Sequence, residues 1–206
     1  MATTIQLVAQ NLDKLAISAG SGTGKNGIKF AQITYGGQPL TIRLSEDLES
    51  VRVPFPPSVY NGDGSEARKS LVYNIPQDVY AGFSELEDFC RQLLEDANPK
   101  VQSLWCSMLK PADRWGAQLK AKINISGPRP ARFYDAAKEP CDAPSEWRGL
   151  GVNVVLLVRG VYIQKTGIGL MLETTHLQYD SIQKAVGEEQ CPFLAPSSTT
   201  KNNCAH

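Results

Sequence analysis

At 206 residues and 42% hydrophobic, the chain can bury one core of ordinary size and still carry long loops or tails. Its longest apolar stretch, 154–158 within 152–163, is too short to cross a bilayer and is followed by Arg159, which argues against a membrane protein. The net charge is zero, yet residues 100–170 hold eleven Lys/Arg against five Asp/Glu, while residues 1–99 hold eight against twelve and 171–206 two against four. Such a chain can still turn one positive surface toward a polyanion; the alternative is a chance excess on a solvated surface.

The first residues lack the basic-then-apolar layout of a secretory signal. The five cysteines (Cys90, Cys106, Cys141, Cys191, Cys204) are odd in number and scattered, with no C-x-x-C pair. Neither a disulfide framework nor a zinc site fits that pattern, and the expected location is a reducing, intracellular one (cytoplasm or nucleus) rather than a secreted one.

In chain order, residues 5–18 show no firm period, and a glycine-rich run follows at 20–27. Residues 28–35 alternate as a strand, Gly36 and Gly37 turn the chain, and 40–44 alternate again with Leu40, Ile42 and Leu44 on one face, which predicts a β-hairpin. The proline-rich passage 51–58 belongs on an edge or in a loop, because proline supplies no backbone donor. Residues 61–64 read as a turn and 70–75 as a short strand. A helix is expected from Ser84, where Glu87 three residues later would complete a capping box; Leu86, Phe89, Cys90, Leu93 and Leu94 follow helical spacing up to Asn98 and Pro99. Its other face is acidic (Glu85, Asp88, Glu95, Asp96), so it is a packing element rather than a phosphate-facing one. Residues 101–109 predict a second helix with Val101, Leu104, Trp105 and Met108 on one side. Residues 117–125 form the clearest strand, 126–150 an irregular connection, 152–163 a central strand and 167–178 the last strand. The tail from 187 onward has the composition of a disordered segment.

Residues 19–26 imitate the phosphate loop G-x-x-x-x-G-K-[ST]. Ala19 replaces the first glycine, Asn26 replaces the magnesium-holding hydroxyl, and a β-alternating run follows where a helix must open. A mobile glycine-rich loop is the better reading. The only histidines are His176 and His206, no G-x-S-x-G elbow is present, and Asp142 and Glu146 are unmarked as a pair. The expectation is a protein that is not an enzyme, with no cofactor and no metal.

One constellation stands out. Lys110, Arg114, Trp115, Lys120, Lys122, Arg129, Arg132, Phe133, Tyr134, Arg159, Tyr162 and Lys165 interleave cations with aromatics, with Trp147 and Arg148 among them. A single-stranded nucleic acid offers a charged backbone to the first kind and unpaired base faces to the second, whereas a duplex hides the base faces. Along 117–125, Leu119, Ala121, Ile123 and Ile125 share one face and Gln118, Lys120, Lys122 and Asn124 the other, so the strand could wall a groove or be an ordinary amphipathic strand wetting two lysines. Trp105 reads as core and Trp115 as a stacking platform. Phe133 and Tyr134 cannot easily both be buried, which leaves one available to a base.

Gly160-Val-Tyr-Ile163, then Gly167-Ile-Gly-Leu-Met-Leu172 and Leu177-Gln178, resemble the terminal hairpin of the single-stranded DNA-binding proteins of large DNA viruses and phages. The Lys-rich strand before it, Phe133-Tyr134-Asp135 and Phe55-Pro-Pro57 are similar in order, and the resemblance covers about residues 50–180. It implies a mainly β fold with one or two helices, an OB-fold-like barrel of five to six strands with an inserted helix. The expected organisation is one such domain over 1–186 with an N-terminal hairpin extension, and a disordered tail over 187–206. The implied function is binding of single-stranded DNA without sequence preference, in support of replication, recombination or repair. RNA as the ligand, replication proteins as further partners and self-association stay open, and no membrane partner is expected. Phage members end in an acidic, aromatic-capped tail; here only Glu188, Glu189 and Phe193 remain of that pattern. The alternative is a non-enzymatic structural or adaptor protein, a virion component or interaction module.

Overall fold

The computed structural model describes residues 3–6, 15–18, 29–59, 67–95, 99–114 and 116–180. The glycine-rich run, the turn at 61–64, Trp115, Asp96, Asn98 and the tail lie outside them. Twelve strands and two helices form among the described residues: β1 (Thr3–Gln6), β2 (Leu15–Ser18), β3 (Lys29–Tyr35), β4 (Gln38–Arg43), β5 (Arg52–Val53), β6 (Arg68–Ile75), α1 (Gln77–Glu95), α2 (Val101–Leu104), β7 (Leu109–Asp113), β8 (Gly116–Asn124), β9 (Arg132–Tyr134), β10 (Pro140–Cys141), β11 (Leu150–Gln164) and β12 (Gly167–Tyr179).

Five strands close a barrel. β5 pairs β6, β6 pairs β8, β8 pairs β12, β12 pairs β11, and β11 returns to β5. The β8–β12 pairing is parallel and the other four are antiparallel, so the third and fifth barrel strands are neighbours, as in a Greek-key barrel of the OB type. The inward faces follow the sequence alternation: Leu71, Tyr73 and Ile75 on β6, and Ala117, Leu119, Ala121 and Ile123 on β8, are buried. Inside, the Tyr73 hydroxyl meets the Thr174 hydroxyl at 2.7 Å, which satisfies both polar groups, and burial pushes the Tyr73 phenol well above its usual range.

The hairpin expected at 28–44 is present as β3 and β4, with Gly36 and Gly37 both at positive φ in the two-residue turn and Leu40, Ile42 and Leu44 buried. It packs on the barrel through β11, whose 161–163 pair β3 and whose 155–157 pair β4. The close approach depends on Gly160 at φ +136°, where a Cβ would lie 2.2 Å from the Ala31 carbonyl oxygen. The stretch 5–18, unperiodic in sequence, holds the end of β1, which lies beside β4, and all of β2, which lies beside β3.

Several expectations need correction. Residues 51–58 are not merely edge or loop: Val51 and Val53 are fully buried, and the two residues of β5 close the ring before the prolines begin. The first helix starts at Gln77, not Ser84, because the Pro76 carbonyl already accepts the Tyr80 N–H at 3.0 Å. Glu87 therefore caps nothing. It is buried, and it accepts from the Trp105 indole N–H (3.3 Å), the Ser107 hydroxyl (2.7 Å) and the Met108 backbone N–H (2.9 Å). Those bonds hold 105–108 extended, so the second helix stops at Leu104 and Met108 leads into β7. Trp105, expected as core, is half-buried against it with Arg91 over its ring. The connection 126–150 contains β9 and β10. No helix among the described residues is long and apolar enough to cross a membrane.

Candidate functional site

The outer face of the barrel's second and third strands is polar. In the β6–β8 ladder Arg68 sits opposite Asn124, Ser70 opposite Lys122, Val72 opposite Lys120 and Asn74 opposite Gln118. Paired residues share a face, so the alternation that buries Leu119, Ala121 and Ile123 sends Lys120 and Lys122 outward beside Arg68. The Lys122 ammonium donates to the Ser70 hydroxyl at 2.7 Å. Partial burial, then Lys120 and Arg68, hold its pKa below the usual lysine value. An anion arriving here would relieve that crowding of like charge.

Two hollows open on this face and meet at Met171, which lines both. One, of about 430 Å³, is bounded by Lys120, Lys122 and Tyr162, with Cys106, Ser107 and Met108 along its rim. Its wall is set by glycine: a Cβ on Gly169 would stand 2.6 Å from the Cys106 carbonyl and 2.9 Å from the Tyr162 hydroxyl, so only glycine lets 105–106 lie against β12, where the Cys106 N–H donates to the Ile168 carbonyl at 2.7 Å. Burial pushes the Tyr162 phenol up to about 12, with Cys106 and Glu87 adding to the shift. The other hollow, of about 600 Å³, has Arg68, Arg129 and Arg159 around it with Asn124 and Glu173. Glu173 is buried on β12; Arg159 grips it with Nε and Nη2, both at 2.9 Å, Asn124 Nδ2 donates at 3.2 Å, and Arg68 stands 3.9 Å away. This carboxylate holds the Arg159 pKa above the ordinary arginine value.

Five of the residues singled out in the sequence thus line the joined hollows: Lys120, Lys122, Arg129, Arg159 and Tyr162. Lys110 flanks them on β7, level with Gln118 and 3.5 Å from Asp113. Arg114 is exposed in the β7–β8 turn, and Lys165 is exposed in the β11–β12 turn next to Gln164, which lines the smaller hollow. Arg132, Phe133 and Tyr134 are not in the hollows. They pair with His176, Leu177 and Gln178 farther along β12. Phe133 is buried edge-on against Trp147, and Tyr134 is half-buried with its ring stacked on His176 at 6.1 Å. Trp115 lies outside the described residues. Sequence reasoning put Asn124 on the face that could wall a groove, and it missed Arg68, Phe30, Met171 and Glu173. Arg68 lies outside the basic third of the chain, and only the β6–β8 register brings it there.

No family model matches the sequence, and no curated protein does. Among solved structures the chain is similar to gp2.5, a single-stranded DNA binding protein encoded by bacteriophage T7, at 12% identity and a TM-score of 0.53, covering 73% of this chain and 91% of that one. It also matches the single-stranded DNA-binding protein from bacteriophage Enc34 in complex with ssDNA, at 15% identity and a TM-score of 0.46, covering 83% and 98%. The closed five-strand ring and the likeness to the T7 protein agree in fold with the resemblance carried by residues 160–178: this chain has an OB-type barrel.

Proposed function

We propose that the protein binds single-stranded DNA without sequence preference, as a non-enzymatic intracellular accessory of replication, recombination or repair, through a single OB domain that carries the β3–β4 hairpin. One observation carries the reading. Arg68, Lys120 and Lys122 project together from the outer face of the second and third barrel strands into hollows that also hold Tyr162. That face, with the loops joining the first to the second and the fourth to the fifth strands, is where OB barrels take oligonucleotides. The cations neutralise phosphates and the ring offers a stacking surface, a combination suited to a single strand and tolerant of its sequence. Lys165 in the loop between the fourth and fifth strands and Lys110 on β7 extend the positive field at its edges.

The test is a salt series of oligo-dT binding followed by fluorescence anisotropy. On single strands each phosphate neutralised contributes about 0.7 to the slope of log K against log salt. Lys120→Ala/Lys122→Ala should therefore flatten the slope by about 1.4, and its affinity deficit should shrink by about sevenfold between 50 and 200 mM salt. An unchanged slope, or equal competition by duplex DNA, would overturn the reading.

A further inference from the structure

The larger hollow differs from the smaller one in how its charge is balanced. Lys120 and Lys122 face each other's charge, whereas Arg159 has a carboxylate built against it. Two of its donors, Nε and Nη2, are committed to Glu173, which is buried and also takes Asn124. A guanidinium held along that edge is neutralised and fixed in plane, and it still lines the hollow with its side chain about a third exposed. What such a group offers is its flat face, which stacks on planar rings. The surroundings suit a ring as well: Phe30, Pro128, Ala67 and Met171 supply apolar walls. The volume, about 600 Å³, is within the range of small-molecule sites.

The geometry points to the larger hollow as a nucleobase site, in which an unpaired base leaves the strand and lies against the Arg159–Glu173 plane, while the phosphates follow Lys120 and Lys122. This rests on the single-strand reading above and deepens it. Arg159 then acts as a platform rather than a phosphate ligand, and Glu173 is a positioning residue that keeps it one. Met171, shared by both hollows, is where the base track and the phosphate track part.

The test compares oligo-dT with an abasic sugar–phosphate chain of equal length across a salt series, for the wild type, Arg159→Lys and Glu173→Gln. Thermal melts of each variant report its fold. Arg159→Lys keeps the charge but loses the plane. It should cut the preference for dT over the abasic chain by fivefold or more, the low end for one stacked base, and leave the salt slope unchanged. Glu173→Gln releases the guanidinium, so the slope should steepen by about 0.7 as Arg159 takes up a phosphate. The inference is overturned if Arg159→Lys leaves the dT preference intact, or if Glu173→Gln leaves the slope intact in a variant that melts as the wild type does. These failures are distinct from failure of the function itself. If the wild type binds neither chain, single-strand binding is lost; if Lys120→Ala/Lys122→Ala flattens the slope while the two hollow variants behave as wild type, only the base site is.

Discussion

β8 and β9 lie end to end along the same edge of β12, β8 at Glu173 and Thr174 and β9 at His176 to Gln178; β8 carries Lys120 and Lys122, and β9 carries Arg132 beside Phe133 and Tyr134. In sequence they look like one constellation. In the structure β8 presents Lys120 and Lys122 to an open groove, while the aromatic residues of β9 are already engaged, Phe133 in the core against Trp147 and Tyr134 on His176. The difference is one of what each strand finds opposite it. β8 runs beside a full-length partner, so its outward residues line a broad face; β9 has three residues, and its central one must fill the space above Leu177. Interleaved charge and aromaticity marks a surface only where the ring is not required to complete a core.

The variant expected to act most strongly lies on β11, where the β3–β4 hairpin packs. Gly160→Ala forces a methyl group to 2.2 Å from the Ala31 carbonyl at a φ that side chains rarely adopt. Overpacking and backbone strain together should cost about 4 kcal/mol, read as a lower urea midpoint. A midpoint equal to wild type would mean that the β3–β4 hairpin is not fixed against β11 as described. Phe133→Ala should come next, at about 3 kcal/mol for a large ring at the margin of the core, with the salt slope of oligo-dT binding unaltered in the folded fraction. A loss of dT affinity without loss of stability would put Phe133 back among the base-contacting residues and erase the contrast between the two strands.

What could be read in the sequence was what depends on neighbours along the chain. The period-2 pattern of 117–125 gave the right faces to Lys120 and Lys122, and the Gly36–Gly37 turn with its flanking alternation gave the hairpin. What depends on distant partners could not be read. Arg68 joins the site only because it is in register with Asn124, and Glu173 meets Arg159 only because the β11–β12 ladder sets Glu173 opposite Leu157, on whose face Arg159 also lies. The second helix begins at Val101 as expected but stops short of 109 for the same reason: Val101, Leu104, Trp105 and Met108 have helical spacing, but Glu87 of another element binds the polar groups of 105–108 and draws them into an extended path. The Ser84–Glu87 pattern looked like a cap because its spacing is local, whereas the actual role of Glu87 is not.

A milder pair of substitutions asks how far along β12 the strand-binding track runs. Arg132 and Tyr134 are outside both hollows, so Arg132→Ala and Tyr134→Ala should each change oligo-dT affinity by less than about twofold, the level expected of a peripheral charge or an already stacked ring. A slope reduced by about 0.7 in Arg132→Ala would extend the phosphate track onto β9.

The subtlest probe is His176, which sits opposite Arg132, under Tyr134 and with Nδ1 3.0 Å from the Thr175 hydroxyl. Burial, and then the Arg132 charge, hold its pKa below 6.5. The unfolded chain therefore binds this proton more readily than the folded one, so the stability His176 confers is complete above about pH 6.5 and is lost as pH falls through the window below it. His176→Gln should flatten that limb of the stability curve. The same titration, followed by NMR, reports on the nucleic acid: a phosphate brought to Arg132 would offset its charge and raise the His176 pKa, whereas DNA confined to the β6–β8 face would leave it where it stands. Saturating oligo-dT should leave it unmoved. A rise on addition of DNA would show the strand passing over β9, and the two segments that pair with β12 would then be one continuous track rather than a groove and its buttress.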